Sequence, residues 1–204
     1  MEFRNILQSK WALALLGLVV VPAASARSSR TDPEPPPQFL AHPLYATRYT
    51  CTEHAAGDLG YLGDDLGQDC LVQEFVESDG RAFTRLYRND GYSNADWYGW
   101  NQPVLSPCDC TVRRILLNPV TNEPGIAGKP PASMILLEAA DGTQVVLGHI
   151  QDPVVREGEA VRAGQQLARV GNNGYSRNPH IHIGAWRDEQ PLQIRWDQRR
   201  IASP

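Results

Sequence analysis

Val161–Gly184 reads VRAGQQLARVGNNGYSRNPHIHIG. Gln166–Val170 has the composition of a short strand, and Gly171-Asn172-Asn173-Gly174 is turn chemistry. A second strand is expected over His180–Trp186. In Pro179-His180-Ile181-His182-Ile183-Gly184 the side chains alternate across a sheet, so His180 and His182 share one face about 7 Å apart. Ile181 and Ile183 take the opposite face, toward apolar packing. That spacing suits one metal ligand beside one acid–base group.

The same short-strand grammar runs outward in both directions. Candidates are Leu71–Val76, Ala82–Tyr87, Pro103–Ser106, Cys110–Leu117, Ser133–Glu138, Thr143–Ile150 and Leu192–Trp196. Ser78-Asp79-Gly80, Asn118–Pro131 and Ala140-Asp141-Gly142 separate them as turns or loops. No dozen residues show clear helical periodicity, so the chain reads as all-β with hairpin spacing. In Thr143–Ile150, alternation puts Val145, Leu147 and His149 on one face, with His149 where that face meets a loop. Gly57–Gly67 (GDLGYLGDDLG) is too rich in Gly and Asp for a helix or a central strand, and reads as a structured loop.

The 204 residues are 42% hydrophobic and 21% charged, which are globular values. The net charge of −4 argues against a basic groove for nucleic acid. At the N-terminus, Arg4 and Lys10 precede the apolar run Trp11–Val21, and Ala24-x-Ala26 follows. This is the pattern of a cleavable signal peptide cut after Ala26, too short to span a bilayer. It places the mature chain in the periplasm or outside the cell, with no membrane contact after cleavage. Arg27–Gln38 is polar and Pro-rich and reads as an extended tether.

Export decides how the cysteines are read. Cys51, Cys70, Cys108 and Cys110 are even in number and meet an oxidising compartment, so two disulfides are expected. A ring closed by Cys108-Asp109-Cys110 is very short. The expectation is therefore that Cys108 and Cys110 each reach back to Cys51 or Cys70.

The histidines sit in a recognisable frame. Pro103-Val104-Leu105-Ser106-Pro107-Cys108-Asp109, then His149, then the glycine-punctuated run Val154–Gly174, then His180-Ile181-His182 follow in that order. This arrangement resembles the lysostaphin/LytM-type zinc metallopeptidases, over about Asp96–Trp186. The resemblance implies an antiparallel β-sheet groove holding one Zn²⁺ per chain. It implies that His182 is a metal ligand, and that His149 and His180 are the catalytic pair that activates water or stabilises the tetrahedral intermediate. The family's other ligands are a His and an Asp in an H-x-x-x-D motif, and Asp96 fits the place of that Asp. Four residues earlier this chain has Tyr92 where the family has histidine. His54-Ala-Ala-Gly-Asp58 has the H-x-x-x-D spacing but lies far upstream, and Asp65-Leu-Gly-Gln-Asp69 resembles the motif with Asp in the histidine place. The third ligand is thus open among Tyr92, Asp65, Asp69, Asp90, Asp64 and His54.

The organisation this implies is a signal peptide at 1–26, a linker at 27–39 and an N-terminal extension at 40–92. A metallopeptidase-like β core at 93–190 and a C-terminal strand and tail at 191–204 follow. The implied activity is a secreted zinc metalloendopeptidase, a hydrolase of peptide stems or cross-bridges in bacterial cell-wall peptidoglycan. The alternative is a metal-poor relative that binds cell wall or regulates another hydrolase. The glycine-punctuated hairpin also resembles biotinyl and lipoyl carriers. Those need a lysine in the turn, and the only lysine after residue 26 is Lys129, outside this hairpin.

Overall fold

The computed structural model describes residues 34–201. The expected signal peptide and most of the linker lie outside them. Strands β1 (Gln38–Ala41), β2 (Tyr49–Glu53) and β3 (Gln68–Val72) open the described chain. A hairpin of β4 (Glu74–Ser78) and β5 (Arg81–Arg85) follows. Its tip residues Asp79 and Gly80 both have positive φ, 52° and 71°, the backbone that a tight turn matching strand twist requires. After a single turn of 3₁₀ helix at Asn94–Asp96 come β6 (Pro103–Leu105), β7 (Cys110–Leu116), β8 (Met134–Ala139) and β9 (Gln144–Gly148). The remaining strands are β10 (Ile150–Gln151), β11 (Ala160–Val161), β12 (Gln166–Val170), β13 (Ile181–Arg187), β14 (Gln190–Pro191) and β15 (Gln193–Trp196). A short helix α1 (Gln198–Ile201) closes the described chain.

The main sheet is antiparallel, in the order β11-β7-β8-β9-β13-β3-β2, with β14 paired to β13. One face is the core. Ile183 lies opposite Leu147, Ala185 opposite Val145, and Leu147 opposite Ile135, and all of these side chains are fully buried. The three-stranded sheet β10-β12-β6 contributes Ile150, Leu167, Val170 and Val104 to the same core. Burial of each such aliphatic side chain stabilises the fold by about 1.5–3 kcal/mol before entropy is counted. The alternation expected at Ile181 and Ile183 is therefore the alternation found.

Three expectations are revised. The strand expected over Leu71–Val76 is two strands parted at Gln73, whose N–H donates to the Arg48 carbonyl as the last bond of the β2–β3 ladder before the chain turns into β4. The last residues of the expected tether, Gln38 and Phe39, belong to β1, which pairs in parallel with β15. The disulfides are Cys51–Cys70 and Cys108–Cys110, so neither Cys108 nor Cys110 reaches back as expected. The reason is register: Cys51 and Cys70 face each other directly across β2 and β3, which satisfies both. Cys108 and Cys110, left on one strand entrance, bond to each other.

β2 and β3 also come from the segment expected to form an extension. Here they are part of the main sheet, with β3 next to β13. That pairing places Gln68–Cys70, about a third of the way along the chain, beside the H-x-H segment.

Candidate metal centre

The sheet face opposite the core carries the site. On β13 the core alternation puts His182 and Gly184 outward, and on β3 it does the same for Asp69. His182 and Asp69 are direct cross-strand partners. His182 Nδ1 lies 3.0 Å from Asp69 Oδ1. His54 follows β2 and extends its ladder by one bond, its N–H donating to the Gly67 carbonyl at 2.8 Å. Its Nε2 lies 3.4 Å from the other Asp69 oxygen, Oδ2. One ligand atom each from His54, Asp69 and His182 all fall within 4.8 Å of one another.

The outer nitrogens of both rings are already committed. His182 Nε2 is 2.8 Å from the Gly63 carbonyl oxygen, and His54 Nδ1 is 2.9 Å from that of Asp64. A carbonyl can only accept, so each of those nitrogens carries the hydrogen. In the neutral ring the lone pair is then on the inward nitrogen, facing Asp69. Two imidazole lone pairs and a carboxylate directed at one another repel unless a proton or a metal cation lies among them. Two nitrogens and one oxygen are a donor set that zinc takes, with a fourth position left for water. The residues present fit the metal.

His180 and His149 stand beside this cluster. His180 Nδ1 donates to the Asn178 carbonyl at 2.8 Å, and its Nε2 lies 3.5 Å from Asp69 Oδ1. His149 Nδ1 donates to the Asn173 carbonyl at 2.7 Å. The rings of His149 and His180 are 4.6 Å apart, and His149 is 6.4 Å from His182. His149 was expected on the face of Val145 and Leu147. Instead β9 ends at Gly148, and His149 has φ 64°, which breaks the alternation and turns its ring to the His180 side. Asn173 backs this turn: its Oδ1 accepts from Ser133 N–H and its Nδ2 donates to the Ile150 carbonyl.

All three histidines on the downstream elements are buried, with 8% exposure each. Burial, together with the neighbouring His180 charge, pushes the His149 pKa down to about 3, so the ring is neutral near pH 7. Burial also works against a charged His182, but the hydrogen bond and charge of Asp69 outweigh it and raise its pKa above the ordinary histidine value. Burial likewise opposes ionised Asp69. Its hydrogen bonds to His180 and His182 overcome that penalty and hold the carboxyl well below the usual range.

Of the residues singled out from sequence, the structure brings together His54, Asp69, His149, His180 and His182. Asp96 stands outside the cluster. It closes the capping box of the 3₁₀ turn, its Oδ1 accepting from Asn89 Nδ2 at 2.7 Å and its Oδ2 from Ser93 N–H at 3.3 Å. Tyr92 is 78% exposed on the preceding turn. Asp90 Oδ1 accepts from Tyr92 N–H, and Asp65 Oδ1 accepts from Gly57 N–H. Asp64 Oδ1 is 3.3 Å from His182 Nε2, on the outer side of that ring. His54 and Asp69, 15 positions apart, stand together because the loop over 55–67 returns the chain from the end of β2 to β3. The signal available in sequence was Asp69 itself, one residue before a cysteine in a strand. A cleft of about 1100 Å³ lined by Tyr45, Tyr49, Arg195 and Trp196 includes none of these five residues.

Residues 98–194 match Peptidase family M23. The resemblance to lysostaphin/LytM-type metallopeptidases is therefore supported by an independent family model. The M23 match contains His149, His180 and His182, whereas His54 and Asp69 lie before it. An uncharacterized metalloprotease of Haemophilus influenzae is 32% identical over 80 residues, which is 39% of this chain and 15% of that protein. The chain thus spans about a sixth or less of the curated relative's length. Among solved structures, the catalytic domain of the prophage-encoded M23 protein EnpA from Enterococcus faecalis aligns over 74% of this chain and 92% of its own, at 16% identity and TM-score 0.48. The catalytic domain of lysostaphin from Staphylococcus simulans aligns over 72% and 87%, at 17% identity and TM-score 0.44.

Proposed function

We propose that the chain is a zinc-dependent metalloendopeptidase that cleaves peptide bonds of bacterial peptidoglycan. The observation that carries this reading is the convergence of the inward lone pairs of His54 and His182 on Asp69, with His149 and His180 alongside. His54, Asp69 and His182 would hold the ion. When bound, zinc polarises a scissile carbonyl and lowers the pKa of water toward ~7. His149 and His180 each keep the hydrogen on Nδ1, where a backbone carbonyl accepts it, so each presents Nε2 to the site as a proton acceptor. One would take the proton from water and return it to the leaving amine, and the other would hold the developing oxyanion once its own Nε2 carries a proton. Peptidoglycan stems or cross-bridges are the substrate class the family resemblance implies. The signal-like N-terminus supports delivery to the periplasm or exterior, and no helix among the described residues is long and apolar enough to cross a membrane. The reading as a metal-poor cell-wall binder rested on Tyr92 in place of histidine. With the His54 imidazole beside Asp69, no observation favours it.

The test is clearing of purified cell wall by wild type, His180→Ala and chelator-treated protein, with zinc measured on each. Clearing by wild type alone, with bound zinc in both wild type and His180→Ala, is the expected result. Equal clearing by all three ends the reading.

A further inference from the structure

We infer that the Asp/Gly-rich loop over 55–67 is a positioning clamp for the two histidine ligands, acting through the consecutive carbonyls of Gly63 and Asp64. This rests on the functional reading above and adds a role to a segment that supplies no ligand itself. Gly63 O accepts from His182 Nε2 and Asp64 O from His54 Nδ1, so one short stretch of backbone fixes the tautomer of both rings. Each bond forces the lone pair onto the inward nitrogen, the one that faces Asp69. Asp64 Oδ1 adds a second acceptor, 3.3 Å from His182 Nε2.

The loop is built to hold those carbonyls in place. Asp64 and Asp65 both donate their N–H to the Tyr61 carbonyl, Gly67 N–H donates to the Asp64 carbonyl, and Asp65 Oδ1 accepts from Gly57 N–H. Gly63 lies flat on the sheet face over Gly184, where a β-carbon would overlap the Gly63 backbone. Gly63 itself has φ 91°, and a β-carbon there would meet Val146 Cγ1 at 2.9 Å and Trp186 at 3.0 Å. At Gly67 a β-carbon would press on His182 Cε1 at 2.9 Å. Glycine at 63, 67 and 184 is what lets the loop approach the ring this closely.

The experiment uses the full chain with Gly63→Val, Asp64→Asn and Asp64→Ala. Zinc affinity is measured by chelator competition, and the tautomers of His54 and His182 by imidazole ¹⁵N shifts of the zinc-free protein at a pH high enough for both rings to be neutral. Gly63→Val is expected to move the carbonyl, release the Nε2–H tautomer of His182, and weaken zinc binding roughly 10–100-fold while stoichiometry stays at one. Asp64→Asn keeps an acceptor oxygen and is expected to bind zinc like wild type. Asp64→Ala is expected to weaken it less than Gly63→Val does. Intact sheet resonances and an intact Cys51–Cys70 bond certify the fold, and where Gly63→Val does not fold the wild-type tautomers decide: hydrogen on His182 Nδ1 or on His54 Nε2 in the neutral rings would overturn the clamp. Unchanged tautomers and affinity in the Gly63 and Asp64→Ala variants would overturn the clamp. So would complete loss of stoichiometric zinc in Asp64→Ala, which would make Asp64 a ligand. Wild type that takes up no zinc would instead defeat the functional reading, and the tautomer measurement would still decide the clamp.

Discussion

His182 and Asp69 face each other across adjacent antiparallel strands with Nδ1 and Oδ1 3.0 Å apart, although 113 positions separate them in the chain. The proposed chemistry depends on that pairing, because it brings a carboxylate from about a third of the way along the chain to the H-x-H strand near its end.

Removal of either partner should abolish metal binding. His182→Ala and Asp69→Asn are expected to lower zinc content from about one per chain to a small fraction of that, since two protein ligands hold zinc poorly. Asp96→Ala should leave zinc content unchanged and cost at most about 1 kcal/mol of stability through loss of its capping contacts. Elemental analysis of the purified variants decides; zinc lost from Asp96→Ala and retained by Asp69→Asn would reverse the assignment.

The Cys51–Cys70 bond staples β2 to β3, one residue from Asp69 and three from His54. A Cys51→Ser/Cys70→Ser double variant should lose about 2–4 kcal/mol of stability and bind zinc more weakly. Urea titration and chelator competition measure the two effects. Loss of stability with zinc affinity unaltered would mean that the site tolerates separation of the two strands.

Asn173 works on both sides of His149, accepting from its ring through the backbone and fastening the turn through its side chain. Asn173→Ala leaves the Ser133 N–H and the Ile150 carbonyl unpaired and should cost about 1–3 kcal/mol. It should lower kcat on cell wall more than it raises KM, because His149 loses its orientation. A stability loss with unchanged kcat would argue that His149 is held by the backbone bond alone.

Acid should destabilise the chelator-treated protein through His149. Its folded pKa, about 3, lies below the ordinary value near 6.5, so the unfolded state binds the extra proton between those pH values. The stability from the neutral buried ring is complete above about pH 6.5 and is lost as pH falls toward 3. His149→Gln should flatten the fall of Tm across that window. Asp69, whose pKa is depressed, adds loss in the same direction at lower pH, whereas His182, whose pKa is raised, contributes the opposite sign. An identical Tm slope in His149→Gln would remove His149 as the cause.

Much of the fold was legible in local pattern. Strand after strand fell where short apolar runs stood between turn residues, and Ile181 and Ile183 went to the core as their alternation required. His149 was misplaced because alternation assumes an unbroken strand, and a left-handed residue at its end reverses the side chain. Counting back from Pro103-Val104 leads to Asp96, whereas Asp69 is separated from that block by the β4–β5 hairpin and comes to His182 only through strand pairing.

Local pattern alone specifies the residue types on hand: an H-x-H strand, one further histidine before a glycine-rich turn, an aspartate-rich loop and an even set of cysteines. Those depend on composition and on period-2 alternation, which are local. Only the tertiary structure decided that His54 and Asp69 join His182, that Cys51 meets Cys70, and that Gly63 and Asp64 lie behind the rings. Strand partners are chosen by register between distant segments, and one residue of slip would turn every such side chain to the other face.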